Sequence, residues 1–286
     1  VSRMAFGMQN SQYSLALIKR YDISYQYTND TAELLYITEN QLSLPVGKVY
    51  PLEIVANNSS SSGLWFEYLW RINQNWVIKP GISVLSPQSL QVGLLTGQAV
   101  ARAAGDYDFN FTSDLVYDQD PLYDRQSESL SGDGYSLDLG IDFDSGNGWQ
   151  AQLRFLDLDG QLNIYDAPHT IGEAISDTKR FDENGYLIYD PAITGTESNK
   201  DVVFKFNRQT HINLIYQYDD NSGLSIQHHQ IDDFSYQQLE WIRNFDQIEL
   251  SLQLIPELES FGVNYRAQNF RLGLLQDNIN YRKMKV

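Results

Sequence analysis

The chain has four histidines, and they bound its acid–base chemistry. His169 stands in a long polar segment, and His211, His228 and His229 stand in alternating segments of the last third. Residues i and i+2 of a strand share a face, so a His-x-Ser pair would set a general base beside a nucleophile. No such pair occurs: the sequence reads His169-Thr-Ile, His211-Ile-Asn, His228-His-Gln and His229-Gln-Ile. Neighbouring His228 and His229 point to opposite faces of a strand and do not converge on one metal ion. Asp157-Leu-Asp-Gly160 begins like a calcium loop, but the later ligands of such a loop are missing, so it reads as a turn or bulge. With no cysteine in the chain, thiolate nucleophiles, thiolate metal sites and disulfides are excluded. No catalytic residue, metal ligand or cofactor is assigned. The chain leans away from an enzyme, and only a triad assembled from distant positions would make it one.

The remaining chemistry is electrostatic. A net charge of −17 excludes the basic stripes that bind a nucleic-acid backbone and suits a solvated face or a route for cations. The acidic residues recur on alternate positions. Asp106 and Asp108, with Asp138, Asp142 and Asp144, make an acidic band if their segments are neighbours. Unpaired carboxylates repel at close range, so such a band calls for water, cations or arginines. Arg102, Arg154, Arg266 and Arg271 are the candidate counter-charges.

Strands must position these groups. In Tyr135-Ser-Leu-Asp-Leu-Gly-Ile-Asp-Phe-Asp144 one face is apolar and the other small or acidic. Ser145-Gly-Asn-Gly148 turns the chain, and Trp149–Phe155 repeats the pattern on the way back. Similar segments recur from Gln12 to Gln276, and no helical periodicity of any length interrupts them. Turns are expected at 44–47, 73–75, 96–97, 145–148 and 207–210, and loops at 56–62, 113–133 and 166–200. Residues 149–165 read either as two strands or as one strand whose alternation slips at a bulge near Phe155. Read as one strand, they give about sixteen strands (14–16, range 12–16), with the longer loops at one end and the short turns and both termini at the other. The chain is a single domain, 1–286, with a polar lead-in over 1–11 and a C-terminal tail over 277–286. No charged-then-apolar leader opens it, which fits a protein that is not exported or a processed form.

Alternation does not say whether the apolar face meets a core or lipid. Trp65, Trp76 and Trp149 follow loops or turns, and Trp241 lies near a strand end, as in an aromatic girdle. The opposite face carries Asp22, Glu67, Asp106, Asp108, Asp138, Asp142, Arg154, Glu249 and Arg266, which suit a wet lumen. On this texture, over nearly its whole length, the chain resembles Gram-negative outer-membrane β-barrel proteins. That resemblance implies an all-β, antiparallel up-and-down transmembrane β-barrel in the cell outer membrane, with 1–11 periplasmic and 113–133 and 166–200 as outer loops. Members usually close on a terminal aromatic, whereas here Tyr281 lies inside Asn280–Val286. The implied function is porin-like passage of small hydrophilic solutes with a cation bias. A scaffold or accessory subunit of a surface or export assembly, its lumen plugged, is the alternative. A soluble all-β carbohydrate-binding protein is the other. The expected partners are outer-membrane lipid and subunits of an envelope assembly, not nucleic acid.

Overall fold

The computed structural model describes residues 1–103, 105–119, 129–176, 179–181, 187–189, 192–245, 248–267 and 270–276. The fold is all-β and antiparallel. A first hairpin, β1 (Ser2–Gln9) and β2 (Tyr13–Asp22), leads to short β3 (Tyr25–Tyr27) and helix α1 (Asn29–Glu39). Then come β4 (Val49–Tyr68), β5 (Trp70–Arg71), β6 (Trp76–Ala103), β7 (Asp106–Tyr117), β8 (Ser131–Asp144) and β9 (Trp149–Ile175). A separate ribbon pairs β10 (Lys179–Phe181) with β11 (Leu187–Tyr189). The remaining strands are β12 (Ile193–Lys205), β13 (Gln209–Asp219), β14 (Ser222–Ile231), β15 (Phe234–Phe245), β16 (Ile248–Ile255), β17 (Ser260–Ala267) and β18 (Phe270–Gln276), with a 3-10 turn at Pro256–Leu258.

Sixteen of these strands share one sheet, whose path runs β1-β2-β4-β6-β7-β9-β13-β14-β15-β16-β17-β18. Four strands share positions with others instead of adding new ones. A strand has only two edges. Because β4 covers one edge of β6 along 81–100, β8 (on 76–85) and β7 (on 91–103) must share the other. Likewise β13 pairs with 149–156 of β9 and β12 with 161–174. The pairings β6–β7–β9–β8 thereby close a ring of four strands. Opposite β8, the ladder shifts between Leu137 and Leu139 while β9 passes from Asp159 to Phe155. Residues 149–165 are thus parts of one strand bulged beside Phe155, and Asp157 has φ +56° there.

Several expected loops are wall. The 56–62 segment lies inside β4, with Ser59, Ser60 and Ser61 buried, and the 96–97 turn lies inside β6. Residues 113–117 complete β7 and 131–133 open β8. These two strands run in one direction down one position of the sheet, so they do not form a hairpin with each other. Residues 206–208 similarly join β12 to β13 without reversing the chain. Of 166–200, residues up to Ile175 and from Ile193 pair as strands. The lead-in 1–11 contains β1, and the tail 277–286 lies outside the described residues.

The run of alternating segments expected from Gln12 to Gln276 without helical periodicity is interrupted by helix α1. Thr28 caps it by accepting from the Thr31 amide, and Thr31, Leu34 and Ile37 bury one side at a spacing of three. That side packs on Leu44, Tyr50, Ala99 and Ala101. The tight connections at 10–12, 72–75, 145–148 and 220–221 share one end of the sheet. Ser2 pairs with Tyr21, next to the α1 connection, and β18 runs toward that same end. Both ends of the sheet's path therefore lie opposite the tight turns, which corrects the expected placement of the termini.

A charged cluster on the inner face

The outer face carries exposed apolar side chains from β1 through to β18. Phe6 is 84% exposed, Leu17 62%, Val84 62% and Leu274 68%. Leu64, Ile82, Leu137, Leu214, Ile226, Leu239, Leu252 and Val263 continue this face. At one level it turns polar: Lys19 follows Leu17, Ser62 precedes Leu64, Ser86 follows Val84 and Tyr135 precedes Leu137. Tyr135 there donates to Asp159 at 2.8 Å.

The inner face carries the cluster. Arg20 is 1% exposed and Asp157 1%. Arg20 donates to Asp22 through Nε and through Nη2 (2.6 Å), and to Asp157 through Nη1 (2.5 Å). Its guanidinium lies 3.6 Å from the centroid of the Phe206 ring. Arg3 reaches from β1 to Asp157 (2.8 Å) and Asp138 (3.0 Å). Ser136 (2.6 Å) and Gln209 (3.2 Å) also donate to Asp157. The bulge makes this possible, because the extra residues let Asp157 face inward with its amide donating to Asp138 at 2.9 Å. Adjacent strands lie about 4.8 Å apart, so β1 and β9 would be far apart in a flat sheet. The bonds of Arg3 to Asp157 and of Arg20 across the same gap show that the wall curls until these positions meet.

Toward the tight turns, Asp142 binds Arg154 and Lys79, each at 2.5 Å, beside Glu67. Toward α1, an apolar layer of Leu85, Leu90, Val116, Leu162, Ile164, Phe204 and Phe206 fills the inside. Small residues make room for these large groups: a Cβ on Gly140 would stand 2.9 Å from Arg154 Nη1, and one on Gly81 3.3 Å from the Asp138 Cβ. Strands β13–β17 instead present mostly amides and hydroxyls, with Glu240, Glu249 and Arg266 among them. Asn264 donates to Ser251 (3.2 Å) and Gln253 (3.1 Å), Gln238 to Gln253 (3.2 Å), and Gln227 to Glu240 (3.2 Å). His211 and His229 meet there, Nδ1 to Nδ1 at 2.8 Å.

The expected inner charges divide. Asp22, Glu67, Asp138, Asp142 and Arg154 come together on the inner face, and Glu249 faces Arg266 across the β16–β17 ladder. Asp106 and Asp108 do not join them, since β7 lies beyond the cluster, near α1. Asp108 pairs with Arg102 at the surface, and that guanidinium, helped by the Ser176 hydroxyl, holds its carboxyl below the usual range. Of the expected girdle, Trp76, Trp149 and Trp241 are on the outer face. Trp149 stacks on Tyr216 at 4.4 Å, and Trp241 donates to Tyr218 at 3.0 Å. Trp65 is corrected: it shares a face with Glu67 and packs inward against the apolar layer. Arg3 and Arg20 had no sequence signal, because each sits in a segment read for its apolar alternation or as lead-in. Asp157 carried one, the slip near Phe155.

No family model matches the chain. Nor does any curated protein or any solved structure. The reading of its function therefore rests on the geometry.

Proposed function

We propose that the chain is a membrane-spanning β-barrel of a Gram-negative outer membrane whose interior is largely filled, and that it serves as a scaffold subunit of an envelope assembly. The outer face supports the membrane part. Along β6, the apolar stretch from Trp76 to Val84 measures ~26 Å at about 3.3 Å per residue. Tilted by about 40°, it covers roughly 20 Å of membrane, close to the band of about 25 Å seen in such barrels. Trp76, Trp149, Tyr216 and Tyr218 edge this band at the tight-turn end. Beyond its other edge β4, β6 and β9 continue into water as a platform carrying α1.

The observation that carries the scaffold part is the buried Arg3–Arg20–Asp157 cluster under an apolar layer. It ties strands β1, β2, β8 and β9 across the inside, which supports a filled interior over a wide channel. One feature favours a second reading, passage of small solutes with a cation bias: the half-exposed amides and Glu240 of β13–β17 line a wetter side.

Heat-modifiability on gels, followed by planar-bilayer recording, tests this. The scaffold reading expects a detergent-requiring, heat-modifiable band and a silent bilayer. Ohmic, cation-preferring steps would replace it with the passage reading. A monomer soluble without detergent would refute the membrane reading altogether and favour a carbohydrate-binding protein. Barrel closure requires β1 beside β18. Because the chain has no cysteine, a series of pairs such as Ala5→Cys with Gly273→Cys reports it directly as an intramolecular disulfide.

A further inference from the structure

Between the two charged layers lies a cavity of about 330 Å³, lined by Arg3, Ala5, Ile18, Trp65, Glu67, Asp138, Gly140 and Arg154, among others. Its charges do not balance. The inner layers hold the cations Arg3, Arg20, Lys79 and Arg154 against the carboxylates Asp22, Glu67, Asp138, Asp142 and Asp157. Every carboxylate but one has a cation in direct contact. Glu67 has neither a hydrogen bond nor an ion pair among the described residues, although it is half-buried. Lys79 and Arg154 act on Glu67 only through space, because both are held by Asp142, so its charge is offset in part and a counter-ion or proton in contact would complete the balance. The surroundings of Glu67 say which counter-ion fits. Trp65 lies on the same inner face two residues away and also lines the cavity, and Ile18 and Ala5 add apolar wall. An aromatic face, a carboxylate and apolar contact together suit an ammonium group on a short hydrocarbon body. A bare alkali ion would leave most of the volume to water and gain nothing from the apolar wall.

From this we infer that the cavity binds one small organic ammonium ion, with Glu67 as its counter-charge and Trp65 against its apolar body. The site goes beyond the scaffold reading and does not rest on it, because the cavity and its charges are the same whatever surrounds the outer face.

The test is titration calorimetry of the folded full chain in detergent micelles at neutral pH, with n-propylammonium as the probe and potassium as the control. The expected result is saturable one-site binding of propylammonium that potassium at equal concentration does not reproduce. Glu67→Gln should weaken it at least about tenfold, as loss of one member of a buried charge pair does. Trp65→Phe keeps an aromatic face and should weaken it less. Both variants are first checked for the heat-modifiable folded band. Absence of binding to the wild-type chain would mean that a proton neutralises Glu67, and would overturn the inference. So would binding that Glu67→Gln leaves unchanged, or binding that potassium matches.

Discussion

Replacing Arg20 by methionine tests whether the inner cluster holds the wall together. Methionine keeps most of the volume and removes the charge. Asp157 would keep Arg3, Ser136 and Gln209 as partners. Asp22 would keep none among the described residues, because Arg20 supplies both of its side-chain bonds there and it is only 5% exposed. Leaving one buried charge uncompensated costs about 3–5 kcal/mol. Asp157→Asn should cost less, about 1.5–3 kcal/mol for weakened charged hydrogen bonds. It leaves Arg3 on Asp138 and Arg20 on Asp22, each cation with its own carboxylate. Asparagine also tolerates the left-handed backbone at 157, so that variant reports on charge rather than strain. The double variant Arg20→Met, Asp22→Leu should regain most of the loss, since apolar replacement of a whole buried pair is often neutral. Urea unfolding in detergent, followed by tryptophan fluorescence and the heat-modifiable band, gives all three values. The reasoning fails if Arg20→Met costs under about 1 kcal/mol, or if the double variant is as unstable as the single one.

Two further outcomes follow from the platform beyond the apolar belt. Leu34→Ala should cost about 2–4 kcal/mol of local stability, seen as faster proteolysis within 23–48 while the heat-modifiable band persists. Asp108, held below the ordinary carboxylate range by Arg102, contributes stability above its unfolded pKa and loses it as pH falls through its lowered folded value. Arg102→Ala should move the Asp108 titration, followed by NMR, upward toward the ordinary range, with the Ser176 bond left in place, and an unmoved titration would assign the shift elsewhere.

The alternation in Tyr135–Asp144 sufficed to put Asp138 and Asp142 together on the face opposite the apolar residues, because side-chain direction on a strand depends only on parity; which face is the inner one it did not say. The slip near Phe155 likewise marked the bulge that turns Asp157 inward. Polarity misled where size was the deciding property. Asn57–Ser62 has the composition of a loop, yet Ser59 and Ser61 pair with Asp22 and Arg20 across the β2–β4 ladder, where a tightly curled wall has room only for small side chains. Helix α1 was hidden because its buried side, Thr31, Leu34 and Ile37, is narrow and includes a polar residue. The reach of Arg3 and Arg20 to Asp157 depends on curvature, which no local pattern encodes. The shared sheet positions of β7 with β8 and of β12 with β13 were missed because loop counting assumes that every loop reverses the chain.

That β7 and β8 share one position of the sheet has a practical consequence. A chain cut between β7 and β8 leaves both strands whole, and the two fragments face each other along two seams. The ladder from Trp76 to Leu85 joins β6 of the first to β8 of the second, and the ladder from Asn110 to Val116 joins β7 of the first to β9 of the second. Neither seam depends on the peptide bond that was cut. The fold thus carries a natural point for two-piece assembly, where two separately made halves would have to find each other to complete the wall.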